Sequence, residues 1–127
     1  MKDNNFFKLT HKEIAEVESL FNRLTLKEKI AQMIMPYAFG NYVSYDSPEY
    51  KRLKKLVAED KVGALCFFKG TVYGYAHLID TLQSFSDVPL LITADFERGI
   101  AMRLIDGTEF PYNMAVAATG NPGYTYQ

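Results

Sequence analysis

Three short apolar runs, separated by two segments of helical periodicity, constrain this chain more than anything else in it. The middle run, Gly63-Ala64-Leu65-Cys66-Phe67-Phe68, carries no polar residue at alternate positions. Such a strand reads as buried on both faces, the habit of a parallel sheet covered by helices. The last run, Leu90 to Asp95, opens after Pro89 and ends at a carboxylate. The first, Met33-Ile34-Met35, meets Pro36, which cannot donate to a ladder and so reads as the end of a strand. Tyr37 to Tyr45 then reads as a loop.

The segments between the runs have helical spacing. Ser47-Pro48 starts a helix through Asp60, with proline at the first helical position and Tyr50, Leu53, Leu56 and Val57 on one side. Its cluster Lys51, Arg52, Lys54 and Lys55 reads as a solvated face rather than a binding patch. A second helix runs from Val72 to Ser84 and carries Ala76, Leu78, Ile79 and Leu82. Ahead of these, Met1 to Leu9 forms a ragged lead-in. Thr10 with Glu13, and Thr25 with Glu28, have the spacing of capping boxes. They predict a helix over His11–Leu24, with Ile14, Val17, Leu20, Phe21 and Leu24 on one face, and a short helix within LTLKEKIAQM.

The order is β-α-β-α-β after a helical lead-in. This predicts an α/β fold with a parallel sheet and right-handed crossovers. Three strands cannot close a barrel, which takes about eight strands and about 250 residues. An open sheet this small leaves edges and an apolar face bare. The missing strands therefore suggest a piece of a larger barrel rather than a complete domain.

Composition narrows the function classes. Hydrophobic residues make up 48% and charged residues 23%, which suits a globular chain rather than a disordered one. The formal net charge is -1 with no basic block, so no nucleic-acid partner is expected. No apolar stretch reaches the length of a membrane span and no signal-peptide core opens the chain, so no membrane partner and a cytoplasmic location are expected. The lone Cys66, inside an apolar run, reads as a buried inert thiol, and one cysteine makes neither a disulfide framework nor a zinc site. His11 and His77 lie in different segments and read as surface or helix-face residues. With no Gly-rich phosphate loop and no metal-ligand cluster, neither cofactor nor metal is expected.

Chemistry collects past the carboxyl end of the last strand, where ligands bind in parallel α/β sheets. Asp95, Glu97, Arg98 and Arg103 crowd that stretch. An aspartate can accept two sugar hydroxyls, and an arginine fork can donate several hydrogen bonds in return. An ion-pair network of Asp95, Arg98 and Arg103 that ties down the loop fits the same residues. Glu97 reads as structural, bonding loop amides, and Gly99 as the point of a tight turn. Lys69, Tyr37 and Phe39 follow the earlier strands as rim positions, where aromatic rings suit stacking on sugars, although loop packing accounts for Phe39 as well.

Four ordered blocks of the sequence resemble glycoside hydrolase family 3: LTLKEKIAQMIM, VGALCFF, PLLITADFERGIAMRL and TEFPYNMAVAAT. Order and spacing match from Leu24 to about Gln127, and the pattern is most similar to the family's β-N-acetylhexosaminidases. The resemblance implies an α/β fold that is the N-terminal part of a TIM-like (β/α)8 barrel, with about three β-α units present as a partial domain over residues 1–127 and the remainder of the barrel expected. It implies substrate binding by Asp95, matching the aspartate that holds sugar hydroxyls, and by Arg103 in the same pocket or its wall. It also implies a retaining mechanism through a covalent glycosyl-enzyme on an aspartate, with a histidine-aspartate acid/base on a loop. No catalytic residue is assigned, since those positions of the family lie beyond Gln127, and the chain alone is expected to be inactive. The expected partner is a carbohydrate with terminal β-N-acetylglucosamine. A β-glucosidase of the same family and a non-catalytic sugar-binding or scaffold module are the alternatives. Arg98 stands where the family has the first of two glycines, and Ile100 replaces a common arginine.

Overall fold

A computed structural model describes residues 8–125; the predicted lead-in over 1–9 and the last residues of the chain fall largely outside them. Helices α1 (His11–Arg23) and α2 (Leu26–Ala31) open the chain. The first lies almost wholly in solvent. Each begins as predicted, with a capping box in which the threonine hydroxyl accepts from the N3 amide and the N3 glutamate accepts from the threonine N–H.

Strands β1 (Tyr37–Gly40), β2 (Ala64–Gly70) and β3 (Leu91–Thr93) then form a parallel sheet in the order β1-β2-β3. They alternate with α3 (Pro48–Ala58) and α4 (Val72–Gln83). This is the predicted α/β alternation. Beyond β3 the chain makes a 3-10 turn at Ile100–Met102 and the short helix α5 (Asn113–Ala118).

The first strand is not where the sequence placed it. Met33 and Ile34 turn off the end of α2, with Met33 N bonded to Ile30 O and Ile34 N to Ala31 O, and Met35 lies in no strand. The strand begins after Pro36 instead. Proline lacks a donor but keeps its acceptor, and Pro36 O takes the Cys66 amide at 3.0 Å. A proline can therefore lead into an edge strand as well as stop one. Tyr37 and Phe39 consequently lie within β1, and Lys69 within β2, rather than in the loops that follow.

The core fills one side of the sheet. Ala38 of β1 and Leu65 and Phe67 of β2 meet Leu53 and Val57 of α3 and Leu78 and Leu82 of α4, all buried. Full burial of side chains of this size contributes about 1.5–3 kcal/mol each. The other side is open: Tyr37, Phe39 and Leu91 are exposed, and Cys66 and Phe68 half-buried. The middle strand is thus apolar on both faces but buried on only one in this chain, and Cys66 is not the buried thiol expected.

Candidate functional site

Parallel strands deliver their carboxyl ends to one edge of the sheet. Along that edge stand Gly40, Gly70 and Thr93, and the chain after each contributes a loop. Ala94 after β3 is half-buried, and Asp95 then turns out to solvent. Arg103 returns to it from the far end of the 3-10 turn. Its NH2 lies 3.2 Å from Asp95 Oδ2.

Two features fix Arg103. Its carbonyl accepts the Gly70 amide at 2.8 Å, and the Ile105 amide donates to Gly70 O at 2.9 Å, so the returning chain is stitched to the end of β2. Its guanidinium carbon also sits 4.7 Å from the centroid of the Phe68 ring, a cation–π arrangement. The result is asymmetric. The Arg103 side chain keeps 14% of its exposure and Asp95 keeps 60%. The arginine is a half-sunk anchor and the carboxylate is the accessible group. Arg103 Nε is buried without a hydrogen-bond partner among the described residues, a donor that native structures seldom leave idle.

The other charges of the loop go elsewhere. Arg98 lies 3.8 Å from Glu109 and stacks 4.1 Å from the Tyr112 ring centroid, so the three-member network with Asp95 and Arg103 is not formed. The Glu97 side chain is exposed. Gly99 has φ 90°, and a Cβ there would stand 2.8 Å from the Phe110 ring, so the tight turn is one that glycine alone makes cheaply.

Two contributors were missed from sequence. Phe68 was read with Phe67 as core, although neighbours on a strand point to opposite faces; the period of two is the signal that separates them. Asp106 was not singled out, yet its carboxylate accepts the Val72 amide at 2.9 and 3.1 Å and holds the start of α4 to the loop after Arg103. Among the described residues no cluster of His, Cys, Asp and Glu could hold a metal ion, and no helix is long and apolar enough to cross a membrane.

Comparison with known proteins decides the family. Residues 25–127 match the family described as "Glycosyl hydrolase family 3 N terminal domain". The chain belongs to glycoside hydrolase family 3. A protein of Cellulomonas fimi named "Beta-N-acetylglucosaminidase/beta-glucosidase" is 34% identical over 115 residues, covering 91% of this chain and 19% of that protein. The chain thus spans about a fifth of the length of the relative it matches. In this family 3 chain the matched region starts at the cap of α2, so α1 lies outside it.

Proposed function

We propose that this chain supplies the sugar-holding edge of a retaining β-N-acetylhexosaminidase, as the N-terminal part of a (β/α)8 barrel completed by further residues of a longer protein. The observation that carries the reading is the exposed Asp95 carboxylate held by the half-sunk Arg103 at a strand's carboxyl end. A carboxylate in that state accepts hydroxyl hydrogen bonds, and its arginine keeps it aimed. Asp95 and Arg103 are the substrate-binding residues. The nucleophile and the acid/base come from the rest of the protein, and the 127 residues alone release no sugar. The open sheet face, lined by Tyr37, Phe39, Cys66, Phe68 and Leu91, supports the barrel reading, since it is the face a closed barrel fills.

The decisive experiment is turnover of p-nitrophenyl N-acetyl-β-glucosaminide and p-nitrophenyl β-glucoside by the longer protein and its Asp95→Asn variant. Loss of charge-assisted hydrogen bonds predicts a fall in kcat/KM of about 10–100-fold. Turnover unaffected by the substitution refutes the assignment of Asp95. The relative's double name favours a second reading, a β-glucosidase, and preference for the glucoside would establish it.

A further inference from the structure

A second cluster stands at the same edge of the sheet, away from Asp95. His77 of α4 stacks with two tyrosine rings. Tyr73, one helical turn earlier, is parallel to it within 4° at 6.0 Å, and Tyr42, from the loop after β1, is within 26° at 6.0 Å. Tyr45 places its hydroxyl 3.4 Å from His77 Nε2 and braces its ring edge-on against buried Tyr50 at 4.9 Å. The outer rings are open: Tyr73 is 70% and Tyr42 66% exposed.

The cluster is held from below. Gly74 packs its backbone on the end of β1, where a Cβ would come 2.2 Å from Gly40 O and 3.1 Å from Tyr42 N. That close approach brings the Tyr42 loop over the first turns of α4. Exposed aromatic rings grouped on a rigid support mark a recognition surface rather than a core. This one consists of flat faces edged by hydroxyls and an imidazole, with no charged side chain among the four rings. Pyranose rings have the complementary form, an apolar C–H face rimmed by hydroxyls. Parallel strands put the loop that carries Tyr42 and the first turn of α4 that carries Tyr73 on the same edge of the sheet as Asp95.

We infer that Tyr42, Tyr73 and His77 form an accessory platform that holds a neutral glycan chain beside the catalytic edge. The inference rests on the glycan-acting reading given above, but it concerns a different surface.

The test uses the longer protein, with insoluble chitin and cellulose as probes. Three forms are compared: the natural protein, Tyr42→Ala/Tyr73→Ala, and Tyr42→Phe/Tyr73→Phe. The alanine pair is expected to weaken retention on one polymer by about tenfold, while the phenylalanine pair keeps most of it, because the ring faces supply the contact. Turnover of the two small p-nitrophenyl glycosides should stay unchanged in both variants. Retention on neither polymer, retention indifferent to the alanine pair, or turnover falling in step with it overturns the platform, the last two being what a protein-docking or purely structural role predicts. Tyrosine-dependent retention in a protein that cleaves neither glycoside leaves the platform standing and defeats the hexosaminidase reading.

Discussion

The two faces of the sheet are built from similar residues and live in opposite surroundings. On one, Leu65 and Phe67 are sealed by Leu53, Val57, Leu78 and Leu82. On the other, Cys66 and Phe68 of the same strand share an open surface with Tyr37, Phe39 and Leu91. Strand residues alternate in direction, so one apolar run serves both sides at once. The helices that follow β1 and β2 cover only one. The lesson is that an apolar sequence records what a strand will meet in its finished setting, while burial in a given chain depends on which partners that chain contains. The functional edge lies where the faces meet: Arg103 reaches over the open-side Phe68 and presents Asp95 at the rim.

The comparison can be broken by substitution. Phe67→Ala, on the sealed face, is expected to cost about 3–5 kcal/mol through lost transfer energy and a cavity. Leu91→Ala, on the open face, is expected to cost less than about 0.5 kcal/mol in the 127-residue chain. In a longer protein whose barrel closes, the same Leu91→Ala should rise to about 2–5 kcal/mol. Denaturant midpoints of the two forms measure the difference, and an equal small cost in both would mean that the face stays open.

Gly74→Ala sharpens the contrast from the covered side. A methyl group against Gly40 O must push α4 off β1, and overpacking of this sort costs about 1–3 kcal/mol. Thermal unfolding reads it, and a neutral result would show that α4 has room to move.

A smaller effect comes from the caps outside the core. Thr25→Ala should cost about 1 kcal/mol by removing a capping hydroxyl. The Glu28 carboxyl is held below its ordinary range by the Thr25 hydroxyl and then by the Thr25 amide. A carboxyl depressed in the folded state binds its proton more weakly there than in the unfolded chain. Its stabilisation is therefore present above the unfolded value, near pH 4.3, and is lost as pH falls through the lower folded one. A stability profile of Thr25→Ala should accordingly lose part of this acid-side slope, and an unchanged slope would place the proton linkage elsewhere.

Much of this was legible in the chain. Both capping boxes, the helices over residues 48–58 and 72–83, and the second and third strands follow from spacing and residue type. The errors have physical causes. Pro36 is ambiguous, because a missing donor suits the beginning of an edge strand as well as its end. Arg98 was within reach of Asp95 in sequence, but the turn at Gly99 sends it to Glu109 and Tyr112. His77 had no local signal, since two of the rings around it come from residues more than thirty positions away.

By itself the sequence determined the alternation of strand and helix, the caps and the family, because these depend on short-range periodicity and on residues in fixed order. Only the tertiary structure decided which face of each strand is sealed, which arginine reaches Asp95, and that two distant rings join Tyr73 around His77. Those outcomes depend on where separate segments meet in space, and near-equal local choices are settled there by packing.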